Sequence, residues 1–145
     1  DALLMEILFR YFSGIATALT ALLCPIAPLI IATSIFILID FITGVIASRA
    51  ESRRAGREWW FESRKAWRTV LKLGFVLTSI VLISVIDSHI LGFMNLNLAN
   101  IFTGFVCGVE LWSFIENAST ISRAPLFEWL SKWVKRRIDS HIDDK

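Results

Sequence analysis

The chain has 145 residues, of which 55% are hydrophobic and only 19% charged, with a net charge of +2; its mean hydropathy is +0.62. An ordinary water-soluble domain is roughly 45–50% apolar and about 25% charged, so a chain this short carries more apolar side chain than a water-facing fold can cover. These values exclude an ordinary soluble domain and make the lipid bilayer part of the solvent, while the length fits one domain over residues 1–145.

Crossing the roughly 30 Å hydrocarbon layer takes about 20 apolar residues as a helix, and without water partners for the backbone, helix is the form expected of such segments. The first candidate, residues 3–24, is interrupted by Glu6 and Arg10, whose i,i+4 spacing lets them pair on one helical face. It lacks an A-x-A cleavage pattern and the small residue a lipoprotein site wants before Cys24, so it is read as retained rather than as a signal. Pro25 and Pro28 then predict a tight turn, because proline ends helices. Residues 28–48 form the clearest span, with no charge from Leu29 to Ile39. Residues 49–65 are too polar to enter lipid, although Glu51, Arg54 and Glu58 have helical spacing. A third span covers residues 67–87 and a fourth residues 98–117, where Glu110 and Glu116 are the charges. From Pro125, the residues Leu126, Trp129, Leu130, Trp133, Val134 and Ile138 fall at helical spacing opposite a basic surface. That pattern predicts an interfacial helix over 125–138, held by apolar burial and anionic lipid; folding back onto a neighbouring subunit is the alternative. The expected fold is therefore all-α: an integral membrane four-helix protein with an amphipathic cytoplasmic C-terminal helix.

Orientation follows from where the cations lie. Arg49, Arg53, Arg54, Arg57, Arg64, Lys65 and Arg68 crowd the link between the second and third spans, and Arg123, Lys132, Lys135, Arg136 and Arg137 crowd the tail. The other two links, 25–28 and 88–97, have no Lys or Arg. The positive-inside rule puts both basic stretches in the cytoplasm, and four crossings then put both termini there. Trp59, Trp60, Trp67, Trp129 and Trp133 flank the same side, as interfacial anchors should. The aromatic residues form a stripe rather than a base-stacking platform, so nucleic acid is not an expected partner.

A charge at mid-bilayer costs about 2.5–3.5 kcal/mol. Asp40, Lys72 and Glu110 each fall at similar depth in the inner half, on three different spans, and with Glu116 they form the expected intramembrane polar cluster. Two readings stand side by side: an ion-pair cluster that locks the bundle, or a polar lining that meets water when subunits associate. Gly104-x-x-x-Gly108 lets a helix approach closely, as do the small residues at Gly44-x-x-x-Ser48, Gly14-x-x-x-Ala18 and Gly74-x-x-x-Thr78. The partner helix can belong to the same bundle or to another subunit. Cys24 and Cys107 read as small buried hydrophobes. His89 and His141 belong to no cluster with metal-ligand spacing, and there is no phosphate-binding Gly loop or nucleophile motif. No enzyme, metal or cofactor is expected.

Asp40-Phe-Ile-Thr43-Gly44 resembles the D-x-x-T-G signature of a phage holin family that also includes holin-like toxin-secretion proteins. Glu110-Leu-Trp-Ser113-Phe-Ile-Glu116-Asn117 is similar to its N-E-x-x-S-I-x-E-N stretch, with Val109 and Phe114 as departures, and Pro125 fits the proline that follows. Gly56, Ser63, Lys65 and Lys72 match more loosely, and residues 57–61 are richer in tryptophan and arginine than usual. The resemblance implies a small inner-membrane protein that self-associates and opens a lesion for an endolysin or a toxin. Two other functions remain: a small ion channel or transporter with a fixed site at the charged cluster, although neither an inverted repeat nor a pair of broken helices is evident; and a membrane anchor that docks a cytoplasmic partner through residues 49–68 and 125–138.

Overall fold

A computed structural model describes residues 2–143; the side chains of residues 2, 125–127 and 139–143 lie outside that description, and the expectations for Leu126 and His141 with them. The described residues are helical, with no strand: α1 (Ala2–Leu23), α2 (Ala27–Arg54), α3 (Ser63–Val85), α4 (Leu98–Ser122) and α5 (Pro125–Asp143). Three stretches are long and apolar enough to cross a membrane, namely Leu3–Arg54, Ser63–Ile90 and Leu98–Ser122.

The first of these corrects an expectation. Residues 24–28 make no tight turn. A single 3-10 turn, Cys24–Ile26, joins α1 to α2, and Leu23 and Ala27 both keep right-handed helical dihedrals. Pro25 and Pro28 each occupy the second position of a helical segment, where the missing N–H has no intrahelical partner to lose, so the prolines are tolerated without reversing the chain. The combined stretch of 52 residues would be about 78 Å long as one straight helix, far more than a bilayer needs. Every residue from Leu3 to Leu23 is exposed, and the expected Glu6–Arg10 pair forms on this surface at 3.1 Å.

The bundle proper consists of α2, α3 and α4. Asn117 of α4 meets Asp40 of α2, and the Arg54 guanidinium at the end of α2 donates to the carbonyls of Thr120 and Ile121 at 2.6 and 3.0 Å. The C-termini of α2 and α4 therefore lie together, the two helices pack directly on each other in parallel, and α3 returns antiparallel alongside them. Arg54 also supplies donors to carbonyls that a helix end leaves without an intrahelical partner. Sequence reading placed Arg54 in a loop; α2 in fact continues to it, and the irregular link is 57–62.

The apolar core is thin. Ile26, Ile37, Ala47, Ile80, Ala99 and Val106 are its buried hydrophobic members, with Thr33, Thr103 and Glu110 beside them. On α4, Ala99, Thr103, Val106 and Glu110 recur at helical spacing, which defines the face turned inward. Large apolar residues such as Ile31, Phe75, Leu82, Ile101 and Phe105 point outward. A soluble protein does not leave such a continuous apolar surface open; in lipid it is the solvent-facing side. Several hydroxyl groups on the spans bond back to their own helix, as Ser34 does to Ile30, Thr78 to Gly74 and Ser79 to Phe75, and so reach an acceptor without a neighbouring helix; the buried hydroxyls of Thr33 and Thr103 make no hydrogen bond among the described residues.

At the far end, α3 widens into a π-helical turn, Ile86–Ile90, closed by the Leu91 N–H donating to Ile86 O at 2.9 Å. A β-carbon on Gly92 would lie 2.7 Å from Ser88 O, a backbone atom that cannot swing away. Gly92→Ala is therefore expected to destabilise the protein by about 1–3 kcal/mol. Gly74→Ala, whose β-carbon would meet open space, should leave stability level or slightly raised. Thermal unfolding of both variants in detergent micelles checks the contrast.

Candidate functional site

One charged residue from each bundle helix converges on a single point. Lys72 of α3 donates to Glu110 Oε2 of α4 at 2.7 Å and lies 3.5 Å from Asp40 Oδ2 of α2. Glu110 is 4% exposed, and a carboxylate so buried requires a partner to offset its desolvation. Lys72 reaches it because its long stem lets the ammonium sit away from its own helix.

A second layer extends the cluster. The Asn117 amide donates to Asp40 Oδ1 at 3.1 Å and, more weakly, to Thr43 Oγ1 at 3.4 Å. The Thr43 hydroxyl donates in turn to its own helix, 2.9 Å from Ile39 O. Asp40 is thus held by a cation on one side and an amide on the other. A β-carbon on Gly44 would lie 3.5 Å from Asn117 Nδ2, van der Waals contact, so this glycine keeps the face of α2 low where α4 approaches. Asp40, Thr43, Gly44, Lys72, Glu110 and Asn117 belong to one contiguous network across three helices.

The remaining sequence-selected residues lie elsewhere. Glu116 is outside the cluster and pairs with Lys135 of α5 at 3.3 Å. One position along the helix from Asn117, it points to a different side, since neighbouring residues on a helix do not share a face. Ser113 lines an opening beside Asp40 and Asn117. Gly104 and Gly108 are exposed, and a β-carbon added to either would meet nothing within 4 Å; Gly108 borders the groove shared with α5. Cys24 is exposed and Cys107 half-buried, both as free thiols, rather than fully buried as expected.

The tryptophans gather towards the basic end. Trp59 packs edge-on to Phe61 beneath the Arg49 guanidinium, 5.8 Å from the ring centre. Trp60 and Trp67 are exposed. Trp129 and Trp133 stack at 6.5 Å on α5, with Arg137 over the Trp133 ring. On the same helix, a hydrogen bond from Lys132 and its charge hold the Glu128 carboxyl below its ordinary range. The amphipathic α5 turns back towards α4, and an apolar groove between them is lined by Phe105, Trp112, Ile115, Val134 and Ile138.

Asn117 is marked in the sequence by the family motif, and its place seven residues, two helical turns, after Glu110 puts it on much the same face. Arg54, within a crowd of arginines, is the contributor that sequence reading does not single out.

Long apolar helices joined by a buried charge cluster define a small membrane protein. Residues 17–137 match the bacteriophage holin family, and the chain belongs to it. The family is one of non-enzymatic membrane proteins. The chain matches no curated protein and no solved structure.

The cluster holds two carboxylates and one ammonium, so its members are not equivalent. Removing either acid leaves one balanced pair, whereas Lys72→Met leaves two uncompensated carboxylates. Breaking a buried pair typically costs about 3–5 kcal/mol. Lys72→Met is expected to be the most damaging change, Asp40→Leu to impair folding and assembly less severely, and Glu110→Leu to be the mildest. Folded yield and thermal stability in detergent measure the ranking; Lys72→Met behaving like wild type would overturn it.

Proposed function

We propose that this protein is a pore-forming holin of the bacterial cytoplasmic membrane, which oligomerises and opens a lesion for an endolysin or, in the secretion branch, a toxin. The observation that carries this reading is the inversion of the bundle. Its charged network is turned inward, while the outer faces are apolar; a β-carbon on Gly104 would meet nothing within 4 Å, and Gly108 borders the open groove shared with α5. Small-residue faces allow close helix approach in lipid, so a second copy is the natural partner for α4. On association, Asp40, Lys72 and Glu110 exchange part of their mutual pairing for water, and the cluster becomes lumen-facing. The internal pairing stabilises the closed monomer; wetting of the same groups stabilises the open assembly.

The basic link and α5 lie on the cytoplasmic side in this reading, because Arg and Lys are retained there. A fourth crossing asks the chain to bend at the 3-10 turn Cys24–Ile26 on insertion, because the continuous 52-residue stretch is far longer than one crossing needs. Both termini are then cytoplasmic. Fluorescent-protein fusions at either end should fluoresce, because they fold in the cytoplasm; a dark N-terminal fusion at normal protein level would place that terminus outside and remove the fourth crossing.

The function itself is tested by induction in a bacterial host with and without an endolysin. Abrupt lysis that requires the hydrolase is expected, with loss of membrane potential at the same moment. Unaffected growth in both cultures would exclude the proposal.

A further inference from the structure

One face of α3 carries Lys65, Arg68 and Lys72 at i, i+3 and i+7, a basic line running from the helix start into the bundle. The innermost, Lys72, is paired with Glu110 and Asp40. Among the described residues, no carboxylate forms an ion pair with Lys65 or Arg68. Both line an opening between α2, α3 and α4, together with Thr69, Ser113, Asn117 and Asp40.

Ser113 supplies the second observation. Many hydroxyls on these helices bond their own backbone, Thr69 to Lys65 O and Thr120 to Glu116 O among them. Ser113 makes no such bond among the described residues and faces the opening instead, as a donor without an acceptor. Asp40 is the one acid there, and it is occupied: Lys72 lies 3.5 Å from one oxygen and Asn117 3.1 Å from the other. Its residual repulsion is confined to the inner end of the opening, one turn beyond Arg68.

We propose that this opening binds the phosphodiester of an anionic phospholipid. The phosphate sits between Lys65 and Arg68, where the guanidinium offers paired donors; Ser113 donates to a phosphate or glycerol-ester oxygen; and the acyl chains run down the side of the bundle past Phe41. A lipid suits the place better than free phosphate. The opening lies laterally between apolar helix faces, and the exposed Trp67 lies next to Arg68 in the chain, where an indole marks the headgroup level. Basic pockets between membrane helices are recognised places for anionic headgroups. The bound lipid would supply the counter-charge that no described residue provides, bridging α3 to α4 beside the ion cluster.

Native mass spectrometry of the full chain in detergent tests this without reference to lysis, using phosphatidylglycerol, phosphatidylcholine and inorganic phosphate as probes. Wild type is expected to retain one phosphatidylglycerol saturably and to discriminate against phosphatidylcholine. Loss of two charge-assisted contacts makes Lys65→Gln/Arg68→Gln at least about tenfold weaker. Arg53→Gln/Arg57→Gln, with equal charge loss outside the opening, should change affinity less than about twofold. Ser113→Ala, a mild change with no demand on folding, should weaken binding severalfold. Equal losses in the two double variants would mean general surface charge, and equal retention of phosphatidylcholine would mean no headgroup recognition. Inorganic phosphate binding with the same residue dependence, without phosphatidylglycerol preference, would assign the site to the free ion. Any of these three results overturns the proposal.

Discussion

The arrangement of the bundle depends on one ammonium group. Lys72 stands between two carboxylates that belong to two other helices, 2.7 Å from Glu110 and 3.5 Å from Asp40. In lipid, apolar contact between helices gains little over contact with acyl chains, so the apolar seam of α2 and α4 cannot by itself select one register. A charge cluster can. Each of its members would be strongly disfavoured if turned towards hydrocarbon, and that penalty fixes the rotation of all three helices together. Asn117 and Thr43 then hold the Asp40 carboxylate in place.

The same economy explains what the outer surface is free to do. Because orientation is set by polar groups inside, the outer faces need only be apolar, and small residues such as Gly104 and Gly108 can remain open to another helix. Self-association of a holin asks for this division. A cluster with one ammonium and two carboxylates also retains a surplus acid, so contact with water or with a cation lowers its energy. The basic line above it, at Lys65 and Arg68, has the opposite imbalance, and an anionic headgroup complements it.

Much of this was legible in the sequence, for a physical reason. Charges are rare in membrane helices, and three at equal depth on three spans have few ways of being satisfied except by one another; Asp40, Lys72 and Glu110 are accordingly brought together. Glu116 failed the same reasoning because depth was weighed without rotation: it shares the level of Asn117 but not its face, and pairs with Lys135 instead. Pro25 and Pro28 suggest a tight turn because proline ends helices, whereas in the first turn of a helix, where both lie, it is neutral. The π-helical turn at Ile86–Ile90 and the close approach at Gly92 left no readable pattern, since they arise from where the backbone of α3 ends rather than from side-chain periodicity. The helices α4 and α5 begin where sequence reading placed them, at Leu98 and Pro125, because a change from polar to apolar residues and a proline are both local signals.

The ion cluster can be observed directly in a bilayer. Solid-state NMR on protein labelled with nitrogen-15 at lysine and carbon-13 at glutamate, reconstituted in lipid, reads the dipolar coupling between Lys72 Nζ and Glu110 Cδ. A strong one-contact cross-peak that disappears in Glu110→Gln is expected. A Lys72 ammonium with no carboxyl carbon in contact, in protein that is folded and membrane-inserted, would contradict the structural basis of the bundle.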